Sequence, residues 1–424
     1  MKFISTRGRS PEVSAFDAIL QGLAPDGGLY MPEVLPRLPE ELFNPHMSYQ
    51  QMAYEVLTPF FIGDPLEAHL KAICDDAFDF PVPLHYLNET EAVLELYHGP
   101  TAAFKDFGAR FLASFMERSY EVRQQPLTIL VATSGDTGGA VAAAFHKKNH
   151  IGVKVLFPKG RVSARQEKQL TCWGDNVESY AVTGAFDDCQ TMVKSAFMDS
   201  ELKERYGLTS ANSINLGRLL PQSVYYVYAS VQYKEKTGKE PVFIIPSGNV
   251  GNSVGALFAK EMGAPIKDIV LAVNENKTIP DYLETGVYEG RESIATLANA
   301  MDVGDPSNME RMRFMYDSIE EIRSHVSAHS VSDELIKESI SEVWKNHRYA
   351  VCPHTASGEY VRNHIIEDTD TIVVSTAHPA KFETIVEPVI GETLPIPEAL
   401  SKLFGKESIC KEISAKIESL FDES

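Results

Sequence analysis

Short apolar runs separated by helical patterns constrain this chain more than any other feature. Leu127 to Ala132, Val153 to Phe157, Val242 to Pro246, Ile269 to Val273 and Ile372 to Ser375 read as strands buried on both faces. Helical patterns lie between them, for example Leu219 to Tyr233, with Pro221 expected in the first turn. Strand and helix alternating in this way predict an α/β fold of parallel sheets with right-handed crossovers. At 424 residues the chain is too long for one ordinary core. Residues 1–84 are rich in turn signals, including Ala24-Pro25-Asp26-Gly27-Gly28 and the cluster Pro81-Val82-Pro83, and read as an N-terminal unit with a linker. Residues 85–390 then form a region of two α/β lobes, and 391–424 a tail that reads as one amphipathic helical segment.

Composition narrows the class of partner. Hydrophobic residues make up 44% and charged residues 23%, as in a soluble globular enzyme. The formal net charge of -20, with no long basic run, argues against a nucleic-acid or membrane partner. Five cysteines without a CxxC pair suggest neither a disulfide framework nor a metal site, and a reducing cytoplasm fits them. The start Met1-Lys2-Phe3-Ile4-Ser5-Thr6-Arg7 lacks the apolar core of a signal peptide, and no window reaches the apolar length of a membrane span.

In a parallel sheet the ligand lies beyond the carboxyl ends of the strands, and four turns there are chemically unusual. The first, His98-Gly99-Pro100-Thr101-Ala102-Ala103-Phe104-Lys105, places a lysine where the strand Ala92 to Leu96 gives way to a helix with Phe107, Phe111 and Phe115 on its buried face. A cation at the positive end of a helix is disfavoured, so Lys105 needs a compensating anion nearby. Burial also lowers the cost of neutralising its amine for covalent chemistry. The second turn, Thr133 to Gly139, offers hydroxyls and main-chain amides for a carboxylate, with Asp136 free to meet a polar ring substituent. The third, Ser247 to Asn252, has glycines that let N–H groups approach an anion ahead of a helix, but neither GxGxxG spacing nor a Walker lysine, so a single phosphate is the better guest. The fourth is Ser375 to Phe382. Together, two anion loops and an interior lysine describe a phosphorylated aldehyde cofactor carrying an amino acid. His146 and His150 at helical spacing read as solvated, Met309, Met312 and Met315 as core, and Cys172 beside Trp173 as buried.

At these residues the chain resembles the threonine synthase family, pyridoxal 5'-phosphate enzymes of the tryptophan-synthase-like fold (fold type II). Ser5-Thr6-Arg7-Gly8, Gly22 to Tyr30, His98 to Gly108, Asn212 to Arg218 and Ser375 to Phe382 carry the resemblance, in order, over nearly the whole chain. It implies conversion of O-phospho-L-homoserine and water to L-threonine and phosphate. It assigns Lys105 to the Schiff base, Gly248, Asn249, Val250, Gly251 and Asn252 to the cofactor phosphate, and Thr376 to the pyridine nitrogen. Ser134, Asp136 and Thr137 fall in the loop that, in this fold, holds the substrate carboxylate or the cofactor ring oxygen; many relatives carry asparagine where Asp136 stands. Lys159, Arg161, Asn215 and Arg218 are the candidates for the substrate phosphate. A serine or threonine deaminase would share Lys105 and the phosphate loop without a second phosphate site, and a catalytically silent homologue would bind the cofactor or phosphorylated ligands as an interaction module. Thr376 could also simply cap the helix that leads through Phe382.

Overall fold

The computed structural model describes residues 1–133, 135–162, 164–367 and 370–421, an α/β chain built on two sheets. The larger has six strands in the order Val326–Ser330, Asp268–Val273, Val242–Pro246, Thr371–Ser375, Glu91–Glu95 and Leu84–Tyr86. All neighbours are parallel except the last pair. The smaller has five parallel strands in the order Lys411–Ser414, Val177–Thr183, Ile151–Pro158, Leu127–Ala132 and Leu208–Thr209. The apolar runs account for the inner strands other than Val177–Thr183, whose Glu178 and Ser179 break the run, because those strands are covered by helices on both faces; Val242–Pro246 and Thr371–Ser375 are buried throughout.

The N-terminal residues pack into the same core as both sheets. Phe3–Ser5 pairs antiparallel with Tyr30–Pro32, Ser5 standing opposite Tyr30. The helix Tyr49–Phe61 begins at a capping box between Ser48 and Gln51, which satisfies two otherwise orphaned N–H groups. Its buried face, Met52, Val56, Leu57, Phe60 and Phe61, meets the helices Leu70–Ala77 and Leu216–Thr237. Phe61 in turn lies against Phe111 and Phe115 of the helix Lys105–Arg123, with ring centroids 6.3 and 6.0 Å apart.

Two expectations require correction. The central helix runs Leu216–Thr237, so Pro221 sits beyond the first turn. The earlier start is set by Asn215, whose Oδ1 accepts the Gly217 N–H at 2.8 Å, and by Gly217, where a Cβ would meet Leu112 Cδ1 at 2.8 Å. Gly217 and Arg218, a poor helix former and a charge, separate Leu216 from the apolar run that starts at Leu219, which hid the first turn. The tail holds the helix Glu398–Phe404, but also the strand Lys411–Ser414 paired with Val177–Thr183. That edge strand has one apolar residue, Ile413, and so no readable alternation.

Candidate active site

A cavity of about 350 Å³ opens where the strand ends of the two sheets face one another, and all four unusual turns contribute to its wall. Lys105, Asp136, Thr137, Gly248, Asn249, Val250, Gly251, Asn252, Thr376 and Arg218 line it. Ser134 lies outside the described residues.

The turn bearing Lys105 is held from both sides. Asp106 accepts the Thr101 N–H at 2.9 Å and the Thr101 hydroxyl at 2.6 Å, an approach close enough that a Cβ on Gly99 would stand 2.5 Å from the carboxylate. Ala102 adopts a left-handed φ of 53°, a strained choice for a residue with a Cβ. The strain is absorbed by the segment after Thr371–Ser375: the Phe104 N–H donates to Thr376 O at 2.8 Å, and the His378 N–H to Ala102 O at 3.1 Å. Lys105 is thereby fixed at the helix start, its Nζ 5.9 Å from the Phe104 ring centroid. Burial pulls its proton affinity down to about 8; Asp136 opposes that shift, while Lys381 and Arg218 add to it. A neutral amine is then within reach at physiological pH.

In the third turn, side chains hold the loop and leave main-chain donors for a guest. Asn249 Nδ2 donates to Ser213 Oγ at 2.6 Å, its Oδ1 accepts the Ser307 N–H at 2.6 Å, and its carbonyl accepts Asn308 Nδ2 at 3.0 Å. Val250 is left-handed at φ 63°, a strained conformation for a β-branched residue, directly before the helix Gly251–Glu261. Asn252 Oδ1 accepts from both Tyr225 and Tyr226, at 2.5 and 2.8 Å, while its Nδ2 is buried with no partner among the described residues. That orphaned donor, beside a helix N-terminus, fits a phosphate group. Gly248 marks how closely the loop is seated: a Cβ there would meet Met301 Cα at 2.7 Å. Gly248→Ala is accordingly expected to displace the loop and weaken cofactor binding about tenfold or more. An absorbance titration of the cofactor-free protein checks this.

Thr376 is buried at the wall. The cap of the following turn is His378, whose Nδ1 accepts the Ala380 N–H at 3.1 Å, so the capping role does not fall to Thr376. Asp136 begins the helix Asp136–Phe145 and forms a buried ion pair with Lys381, 2.9 Å apart. Burial alone would raise the Asp136 carboxyl, but Lys381 and Lys105 outweigh it and hold the group well below the usual carboxylate range. Arg218 is 3% exposed; its NH1 donates to Ala211 O at 2.6 Å, and its Nε has no partner among the described residues.

Three candidates stand elsewhere. Asn215 spends its side chain on Gly217 N, Ile19 O and Ser210 O as a helix cap. Lys159 is exposed and pairs with Glu412 at 2.7 Å, and Arg161 is exposed outside the cavity wall. Conversely, sequence reasoning overlooked His354, Lys381 and Arg311. His354 Nε2 accepts the Ala300 N–H at 3.1 Å and so holds the segment that faces Gly248; burial pushes its proton affinity down to about 4. Lys381 was discoverable by the argument applied to Lys105, since Pro379-Ala380-Lys381-Phe382 also surrounds a lysine with apolar residues. Arg311, fully buried, donates to Tyr30 O, Ile214 O and Asn308 Oδ1, tying the N-terminal strand pair to the loop around Asn249.

Comparison with known proteins agrees with this geometry. Residues 2–78 match the family described as Threonine synthase N terminus, 81–375 the family Pyridoxal-phosphate dependent enzyme, and 354–422 the family Threonine synthase, C-terminal. The threonine synthase of Haemophilus influenzae is 39% identical over 95% of this chain and 94% of its own length. The PLP-bound threonine synthase of Brucella melitensis superposes with a TM-score of 0.94 at 34% identity, covering 99% of this chain and 98% of that one. The threonine synthase of Escherichia coli superposes at 0.89 with 36% identity, covering 99% and 98%. Matched along its length by all three family models and by relatives of this kind, the chain belongs to the threonine synthase family of pyridoxal-phosphate-dependent enzymes.

Proposed function

We propose that this threonine synthase converts O-phospho-L-homoserine and water to L-threonine and phosphate, in the cytoplasm, where its five free thiols are at home. The observation that carries the substrate assignment is Arg218. It is a buried guanidinium on the cavity wall, apart from the loop that would serve the cofactor phosphate, and so supplies a positive charge for a second anion.

The residues fit pyridoxal 5'-phosphate: the main-chain N–H groups of Gly248 to Asn252 and Asn252 Nδ2 would hold its phosphate, Thr376 would serve the ring nitrogen, and Lys105 would take the aldehyde. When bound, the cofactor supplies an electron sink conjugated to the amino-acid Cα. With substrate bound, the Lys105 amine would take the protons at Cα and Cβ and return protons at Cα and Cγ, a role that an affinity near 8 suits. Thr376 offers a neutral hydroxyl, which orients the ring nitrogen without giving it a full charge. Thr137 and the amides at the start of the helix Asp136–Phe145 face the substrate carboxylate. The C–O bond at Cγ breaks with loss of phosphate, Cγ takes up a proton to become the methyl group, and the hydroxyl of water joins Cβ in place of the proton removed there, the other water proton leaving with the phosphate. Arg218 balances the charge of the departing group.

A site built for a dianion leaves its donors unpaired when that group is missing. The expected preference for O-phospho-L-homoserine over serine or threonine is on the order of 10⁴ in kcat/KM. Parallel assays of phosphate release and of keto-acid formation decide it. Comparable efficiency with serine would move the assignment to a deaminase.

A further inference from the structure

Lys381 has no part in the steps above, yet it forms a buried ion pair with Asp136 beside the reactive lysine. It projects from the turn Pro379–Phe382, after a strand of the larger sheet, while its partner Asp136 follows a strand of the smaller one. Their side chains are 3% and 4% exposed. Lys381 Nζ also donates to Thr101 O at 3.0 Å, within the turn that ends in Lys105. One ammonium therefore joins both lobes to the segment bearing the reactive lysine.

Cohesion alone does not explain a charged pair here, because desolvation offsets much of the attraction and neutral side chains would pack as well. What only charges can do is set the field at Lys105. The groups facing it are Asp136, Lys381 and Arg218, with His354 set beside Asp136. We propose that Lys381 is a positioning residue: by pinning the Asp136 carboxylate across the two lobes and against the Thr101 turn, it fixes the charge balance at Lys105 and so the pH at which that amine is free to attack an aldehyde. The inference rests on the reading of Lys105 as the attachment point.

The test follows pyridoxal 5'-phosphate joining the cofactor-free chain, the neutral Nζ adding to the aldehyde carbon and one water leaving. The rate is read by absorbance across pH, and the reduced adduct is mapped to a peptide. In the parent the rate should rise through a midpoint of about 8. Asp136→Asn leaves Lys381 facing Lys105 without its counter-charge, and the midpoint should fall by about one pH unit; Lys381→Met leaves the carboxylate to Lys105, and it should rise by about as much. Lys381→Arg keeps the cation and should keep the parent midpoint. If Lys381→Met does not fold, Lys381→Met on the Asp136→Asn background, a neutral pair, must still titrate above Asp136→Asn alone. Opposite shifts are a result that structural damage would not give. Unmoved midpoints, or shifts in the same direction, overturn the proposal. A parent adduct mapped to a peptide without Lys105 overturns the attachment reading instead.

Discussion

Lys105→Ala should leave a folded protein that no longer forms a borohydride-reducible adduct and whose turnover has fallen by about 10³-fold or more, the scale of losing a positioned acid–base group. The fold should survive because alanine suits a helix start and because Asp136 keeps its partner Lys381. Cofactor binding should weaken without disappearing, since the loop Ser247 to Asn252 and the buried Asn252 Nδ2 are untouched. Reduction followed by peptide mapping in the parent, beside equilibrium dialysis of the variant, measures both halves. Appearance of the label on a peptide carrying Lys381 in the parent protein would refute the assignment.

Arg311→Met should have the largest effect on stability. The substitution roughly conserves volume but strips hydrogen bonds from the carbonyls of Tyr30 and Ile214 and from Asn308 Oδ1 in a fully buried setting. Leaving such acceptors unpaired costs about 1 to 3 kcal/mol each, so a loss of about 3 kcal/mol or more is expected, with a fall in Tm of roughly 3 to 5 °C. Burial draws the Arg311 guanidinium down to about 9, with Glu310 opposing the shift, so it stays a cation at neutral pH. Asn308, freed from Arg311, should also loosen its grip on Asn249 O, so cofactor affinity should fall with stability. A calorimetric scan and a cofactor titration of the same preparation check the two together. A variant that melts like the parent would show that the N-terminal strand pair does not depend on this arginine.

Most of the inner strands and the cavity's anion loops were legible because each rests on local rules: unbroken apolar runs for doubly covered strands, glycines and a following helix for a phosphate loop; the inner strand Val177–Thr183 escaped because Glu178 and Ser179 break its run. Edge strands escaped, since Lys411–Ser414 and Val326–Ser330 face solvent on one side and owe their pairing to partners distant in sequence. Long-range polar chemistry escaped too. Asn215 and Arg218 stand three residues apart in one segment, yet the first is consumed as a helix cap and the second reaches the cavity, a difference set by which element each side chain meets. Nothing in the spacing of Asp136 and Lys381 announces that a crossover brings them within 2.9 Å.

The strand order carries a kinetic consequence. Val177–Thr183 receives its outer neighbour only from residues 411–414, and Glu91–Glu95 receives one of its neighbours from residues 371–375. During synthesis both sheets therefore wait, with unpaired backbone on strands already made, for partners more than 200 residues downstream. Such open edges are where nascent chains join one another instead of themselves. The slow phase of refolding should accordingly track docking of these late strands, and aggregation during expression should compete most strongly in that interval.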